Sequence, residues 1–276
     1  MTTWLITGCS TGLGRAFAQE VLARGHNAVV TARDAAKVHD IVGAYPNTAV
    51  ALPLDVTNDA QVTAAVTAAE ERFGGVDVLV NNAGYGYRAA VEEGEDEAVQ
   101  QLFDTHVFGT ARTIKAVLPG MRRRRSGTIV NLSSIGARLS PPGSGYYAAV
   151  KAAVEAMTLS LRKEVEPLGI TALVVEPGGF RTDFAGRSLT QSAIPIEDYA
   201  ETAGQRRKEN DTVHGTQAGD PAKAAARLVE VVESDAPPYM LVLGNDASDA
   251  FRASLDALRA DLDTWEQVSR STDFDD

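Results

Sequence analysis

Thr7-Gly8-Cys9-Ser10-Thr11-Gly12-Leu13-Gly14 follows a short apolar run, Trp4-Leu5-Ile6, and precedes an amphipathic segment from Arg15 to Arg24. The pattern reads as strand, glycine turn and helix at the very start of the chain. Gly8 allows a tight turn, Gly12 lets backbone approach a phosphate, and Gly14 lets the helix pack near the strand. Free N–H groups at such a helix start face a pyrophosphate, with Ser10, Thr11 and Leu13 completing the turn. The same letters contain Gly8-x-Ser10-x-Gly12, the nucleophile elbow of serine hydrolases. An elbow has several strands before it and an acid and a base after it. Here a single strand comes first, and His214, in a polar stretch, is a poor base. Cys9 is either a reactive thiol or a small residue filling a crowded loop.

The chain has 276 residues, 44% hydrophobic and 23% charged, which suits one large α/β domain. A formal net charge of −11 argues against a nucleic-acid surface, because phosphate neutralisation needs basic excess. No run of about 18 apolar residues occurs, so no membrane span is expected. The first residues lack the basic and apolar regions of a signal peptide, and a lone cysteine fits a reducing compartment, so a cytoplasmic location is expected.

Further along, Asn27 to Ala32 reads as a buried parallel strand followed at once by Arg33. Dinucleotide-binding folds place an acid about 20 residues past the glycines to hold the ribose 2′-hydroxyl. Ala32 stands there instead, and a guanidinium next to it favours a 2′-phosphate, with Ser10 adding a hydroxyl. NADP(H) is therefore expected over NAD(H). Ala49 to Leu54 is a third strand, ending in Asp55-Val56-Thr57, where Asp55 is the cap of the next helix, a group near the adenine, or both. Asp59 to Phe73 is a helix, and Val76 to Val80 a fourth strand that delivers Asn81-Asn82-Ala83-Gly84 to the ligand edge. A long helical region from about Glu95 to Arg125, broken once, ends in four arginines that suit a helix C-terminus.

Thr128 to Leu132 is a fifth strand, leading to Ser133 and Ser134, and the following helix carries Tyr147 and Lys151. Ile170 to Val175 is a sixth, left by Glu176-Pro177-Gly178-Gly179-Phe180-Arg181-Thr182 at the same edge. Residues 183 to 219 are polar and lack periodicity, which reads as a lid over an active site with helical pieces. Asp220-Pro221 opens another helix, Tyr239 to Leu243 is a last strand, and the charged amphipathic tail from Asp246 is an exposed helix.

Tyr147 and Lys151 are four apart and share a helix face. A phenol near its free pKa of about 10 is a poor acid or base at neutral pH, and an ammonium one turn away favours the phenolate. Ser134 adds a hydroxyl to hold a substrate oxygen. Tyr146 has Val150 four residues on and lacks such a partner.

With these residues in order, Thr7-Gly-x-x-x-Gly-x-Gly14, Asn81-Asn-Ala-Gly84, Ser134, Tyr147-x-x-x-Lys151 and Pro177-Gly178 with Thr182, the chain resembles the short-chain dehydrogenases/reductases over about residues 3 to 184. The resemblance implies a Rossmann-type doubly wound parallel sheet of about seven strands and reversible hydride transfer between nicotinamide and a carbonyl or secondary alcohol. It implies Tyr147 as acid/base, Ser134 orienting and polarising the substrate oxygen, and Lys151 lowering the tyrosine pKa and holding the nicotinamide ribose. Pro177, Gly178, Phe180 and Thr182 would secure the carboxamide end. Ser134 stands thirteen residues before the tyrosine, as in the family, and Arg33 matches its NADP(H)-preferring branch. Homodimers or homotetramers are implied by the same analogy.

One departure stands out. The family's long helix usually carries an asparagine that holds a relay water, whereas this chain reads Thr105-His106-Val107-Phe108-Gly109. His106 either keeps the relay with altered pH dependence, slows turnover, or is a packed histidine beside a backbone relay. It is also the sequence support for the alternative function, a nucleotide-binding regulator or redox sensor with impaired turnover.

Overall fold

A parallel strand buried on both faces has to be apolar along its length, and Trp4-Leu5-Ile6, Ala28-Val29-Val30 and Leu173-Val174-Val175 are wholly buried. The computed structural model describes residues 1–186, 188–213 and 215–274. His214, weighed above as a base, lies outside the described residues. The strands are β1 (Thr3–Ile6), β2 (Asn27–Ala32), β3 (Ala49–Pro53), β4 (Val78–Asn81), β5 (Gly86–Arg88), β6 (Gly127–Leu132), β7 (Ile170–Pro177), β8 (Leu189–Gln191) and β9 (Met240–Leu243). The helices are α1 (Gly12–Ala23), α2 (His39–Gly43), α3 (Asp59–Phe73), α4 (Asp96–Phe103), α5 (Gly109–Arg124), α6 (Gly136–Leu139), α7 (Gly145–Val165), α8 (Ala203–Val213), α9 (Pro221–Val232) and α10 (Asn245–Arg270).

The main sheet has seven strands in the order β3-β2-β1-β4-β6-β7-β9, and every pairing is parallel. This is the expected doubly wound Rossmann-type sheet in a single α/β domain. Alternation along β1 divides the core. Trp4 and Ile6 join Phe17, Val21 and Leu228 beneath α1 and α9. Leu5 joins Val66, Val117 and Leu161 beneath α3, α5 and α7. From β1 the chain winds outward through β2 and β3, then returns to lay β4 on the other side of β1. The loops leaving β1 and β4 consequently emerge side by side at the carboxyl edge, where such sheets bind ligands.

Local signals set several element ends. Gly74, at φ +85°, stops α3, and Asp220 caps α9 by accepting from the Ala222 amide at 2.9 Å. The cap of α3 corrects one expectation. Asn58, not Asp55, accepts from the Gln61 amide at 3.1 Å. Asp55 instead binds the amide and hydroxyl of Thr57 at 2.9 and 2.7 Å, a local turn that ends before the helix begins. The break in the long helical region is a single π-type turn, Asp104–Phe108, centred on His106.

The segment after β7 is tied to the body by a second, two-stranded parallel sheet. Gly86, Tyr87 and Arg88 of β5 pair with Leu189, Thr190 and Gln191 of β8. At the other end of the chain, α10 buries Ala247 near its start but leaves Leu258, Leu262 and Trp265 exposed. Among the described residues no helix is long and apolar enough to cross a membrane.

Phe17 is wholly buried, whereas Leu258 is 60% exposed. Phe17→Ala is expected to cost about 3–5 kcal/mol of stability, and Leu258→Ala no more than about 0.5, as read by urea unfolding at fixed protein concentration.

Candidate active site

Thr7, the first residue beyond β1, is wholly buried. Its hydroxyl accepts from the amides of Asn82 and Ala83, each at 3.0 Å, and donates to the Val80 carbonyl at 3.3 Å. Asn82 returns the link through Nδ2, which donates to the carbonyls of Thr7 at 2.9 Å and Gly8 at 3.0 Å. This brace leaves no space for side chains at two glycines. A Cβ at Gly8, where φ is +72°, would stand 2.9 Å from Ala83 Cα, and one at Gly14 would overlap both Asn82 Nδ2 and the Gly8 carbonyl. Gly12 opens outward instead, and the Thr182 side chain is its nearest neighbour at 3.6 Å.

Thr11 precedes α1 without making a side-chain cap, so the first amides of that helix are left for a ligand. They border a cleft of about 540 Å³ between Ser10, Thr11 and Gly12 on one side and Thr182, Asp183 and Asp220 on the other. Uncapped amides, a positive helix end and an open glycine fit the phosphates of a dinucleotide. Leu13 packs inward on the core. Cys9 is also buried, with Sγ 3.2 Å from the Ile6 carbonyl, and burial pushes its thiol up to about 12. It is a loop filler, not a reactive thiol.

Arg33 is exposed at the end of β2 and makes no hydrogen bond among the described residues. Burial works to raise the Asp55 carboxyl, but the Thr57 hydrogen bonds and the Arg33 charge outweigh it and hold Asp55 below the ordinary carboxylate range. Val56 is buried against Gly109, where a Cβ would come within 2.6 Å of Val56 Cγ2. The Asn81 side chain belongs to the core. Its Nδ2 donates to Asn131 at 2.8 Å and its Oδ1 accepts from Thr113 at 2.6 Å. Beyond β7, Pro177 leads into a turn held from outside. The Asp246 carboxylate accepts from the Gly179 amide at 2.7 Å and occupies the space a Gly178 side chain would need. Phe180 bridges to Gly219, and Thr182 accepts from the Phe184 amide at 3.3 Å.

The structure brings Ser134, Tyr147 and Lys151 together. Tyr147 is buried on α7 with the Lys151 ammonium 5.7 Å from its ring centroid. Burial pushes the phenol up to about 12, opposed by a hydrogen bond with Ser134 and by the charge of Arg88. Desolvation thus outweighs the expected lowering in this site, and the phenol stays protonated at neutral pH. Lys151 donates to the Leu132 carbonyl at 2.8 Å. Burial pulls its ammonium down to about 8, and Glu155 resists the shift. Ser133 points elsewhere, donating to Glu155 at 2.5 Å. Behind Lys151, Arg138 bridges Glu155 at 3.0 Å and Glu176 at 3.3 Å. Burial and the neighbouring Glu155 raise Glu176 to about 8, so this buried acid keeps its proton at neutral pH. Tyr146 turns outward and donates to the Val91 carbonyl at 2.6 Å.

His106 also faces Tyr147, edge to face, with ring centroids 5.9 Å apart. Gly84 makes room for it, because a Cβ there would overlap the imidazole. Nε2 lies 2.8 Å from the Tyr85 carbonyl oxygen and 3.1 Å from the Tyr85 amide nitrogen, and among the described residues Nδ1 has no partner. Burial, reinforced by the Lys151 charge, lowers its pKa well below the ordinary 6.5. The sequence expectation of titration near neutral pH is therefore corrected: His106 is held neutral by its surroundings.

Three contributors were not visible as site residues in the sequence. Thr7 and Asn82 brace the loops, a role hidden in motif letters that also fit a plain turn. Arg88 lies over the Tyr147 ring with its guanidinium carbon 5.9 Å from the centroid, and no motif announces it.

Comparison with known proteins agrees with this geometry. Residues 2–193 match the short chain dehydrogenase family. An oxidoreductase of Botryotinia fuckeliana, BOA17, is 35% identical over 267 residues, which cover 96% of this chain and 97% of that protein. The crystal structure of a short-chain dehydrogenase from Streptomyces avermitilis superposes with a TM-score of 0.92 at 43% identity, covering 99% of this chain and all of the other. A 3-ketoacyl-(acyl-carrier-protein) reductase from Brucella melitensis, complexed with NADH, gives 0.74 at 25% identity, over 88% of this chain and 96% of that one. The chain belongs to the short-chain dehydrogenases, a family of NAD(P)-dependent oxidoreductases.

The lysine shift gives a test. An unfolded lysine titrates near 10.5 and the folded Lys151 near about 8, so the cost of burying its charge is fully present below about 8 and gone above 10.5. The stability of the wild type relative to Lys151→Met is therefore expected to rise with pH across that window. Denaturant unfolding of both proteins at matched pH checks it, and a flat difference contradicts it.

Proposed function

We propose that this protein is an NADP(H)-dependent oxidoreductase that interconverts a carbonyl compound and its secondary alcohol, with Tyr147 as acid/base. The observation that carries this reading is the phenol of Tyr147, buried between Ser134, Lys151 and Arg88 at the edge where the β1 and β4 loops meet. Bound nicotinamide would supply the hydride that reduces the carbonyl carbon, or accept it in the reverse direction. Tyr147 gives its proton to the carbonyl oxygen as that oxygen becomes a hydroxyl, and recovers it in oxidation. Ser134, hydrogen-bonded to the same phenol, holds the substrate oxygen in line. The Lys151 ammonium stabilises the phenolate left behind and, from α7, is placed to hold the nicotinamide ribose. A phenol kept protonated by burial favours the reductive direction.

NADP(H) is preferred in this reading because Arg33 is an exposed, uncommitted guanidinium where a ribose 2′-phosphate would lie. Arg15, the other nearby arginine, is paired with Asp40. The 3-ketoacyl activity named for the Brucella melitensis relative supports a ketone as substrate. A cytoplasmic location and self-association, covering exposed Phe108 and Leu159, belong to the same proposal.

Tyr147→Phe is expected to lower turnover of a ketone panel by about 10²–10⁴ while leaving NADPH binding intact. Wild-type protein that binds NADPH tightly and reduces none of the panel would establish the regulator reading instead. Arg33→Ala is expected to raise KM for NADPH about tenfold or more with little change for NADH, and equal losses for both would remove the phosphate assignment.

A further inference from the structure

Arg88 closes β5 and lies over the ring of the reacting phenol, a contact that leaves its N–H groups unsatisfied. The residue is only 7% exposed, and among the described residues neither Nε nor Nη1 has a hydrogen-bond partner. A buried guanidinium is ordinarily paired, because removing its charge from water is costly. The charges that act on it do not cancel it. Arg206 of α8 repels it, Tyr147 and Glu209 oppose that, and Glu209 is itself paired with Arg206 at 2.7 Å. Burial and Arg206 lower its pKa to about 10, so it remains a cation at neutral pH. The neighbouring Arg207 shows what a satisfied arginine looks like here, bound to Glu93 and, at 2.5 Å, to the Ser192 hydroxyl.

We infer that Arg88 is the binding residue for a carboxylate on the substrate, so the preferred substrates are keto acids, or the matching hydroxy acids, whose carboxylate lies a few bonds from the reacting carbonyl. Three features support this. The guanidinium lies over the Tyr147 ring, and Arg88 does not line the cleft that fits phosphates. A single guanidinium matches a singly charged planar anion and would leave a phosphate dianion half compensated. The strand that carries the cation is also held by backbone pairing with β8, and the side chain is buried, which limits the ordering needed when a ligand arrives. This inference rests on the oxidoreductase reading and specifies its substrate.

The test compares acids with their own methyl esters: pyruvate, 3-oxobutanoate and 4-oxopentanoate, each against its ester, with NADPH oxidation as readout. The wild type is expected to favour its best acid over the ester by about tenfold or more in kcat/KM, mostly through KM. Arg88→Met should bring that ratio close to one, lowering kcat/KM for the acids far more than for the esters, with NADPH affinity near wild type. It should melt no lower than the wild type, because it removes an unpaired buried charge. Arg88→Lys, which keeps the charge and loses the fork, should retain part of the preference, and it serves if the methionine variant fails to fold. A preference unchanged in the variants, equal handling of acids and esters by the wild type, or weakened NADPH binding on Arg88 replacement would each overturn the assignment. If the wild type oxidises NADPH with none of the compounds, the oxidoreductase reading fails separately. Calorimetric titration with 4-oxopentanoate then decides the anion site: binding lost in Arg88→Met supports it, and no binding to either protein ends it.

Discussion

The reciprocal grip between Thr7 and Asn82 is the constraint on which the rest of the molecule depends. A parallel sheet that reverses direction leaves two loops adjacent at one edge, but adjacency alone does not fix their spacing. One threonine hydroxyl takes two amides of the opposite loop, and one asparagine amide takes two carbonyls in return. The hydrogen bonds bring the two backbones so close that Gly8 and Gly14 cannot carry side chains. Gly12 is then left facing the Thr182 side chain, with the uncapped start of α1 behind it. Both the anion-receiving end of the cleft and the position of Gly84, which admits His106, follow from that spacing.

The electrostatics of the site follow from burial more than from pairing. Desolvation raises the tyrosine, depresses the lysine and keeps the histidine neutral, so each group is pushed toward its uncharged form. Arg88 cannot make that adjustment, because a guanidinium keeps its proton even when its pKa falls to about 10. It is the fixed charge around which the adjustable ones are arranged. Behind them the Glu155–Glu176 pair, clamped by Arg138, holds one proton and supplies partial compensation to Lys151.

Much of this architecture was legible in the sequence because the signals are local. Continuous apolar runs marked the seven strands, and Asp220-Pro221 marked a helix start through its own backbone chemistry. The spacing of Tyr147 and Lys151 placed both on one face of α7. What could not be read depends on distant partners. The three-residue strands β5 and β8 are too short for periodicity and exist only because residues far apart in the chain pair. Asn81 and Asn82 are indistinguishable as letters, and only the fold turns one into the core and the other onto the glycine loop. The neutrality of His106 comes from burial, which no neighbouring residue reveals. Arg88 was silent for the same reason: an arginine in a loop after a strand is usually solvated, and nothing in Tyr85-Gly86-Tyr87-Arg88 says that it turns inward.

The pairing of β5 with β8 couples two segments that are far apart in the chain. Arg88 lies opposite Gln191 in that register, so the backbone that carries the buried cation is held by residues 189–191. A substitution that weakens that short ladder would act on the guanidinium through the main chain, without replacing any side chain beside it.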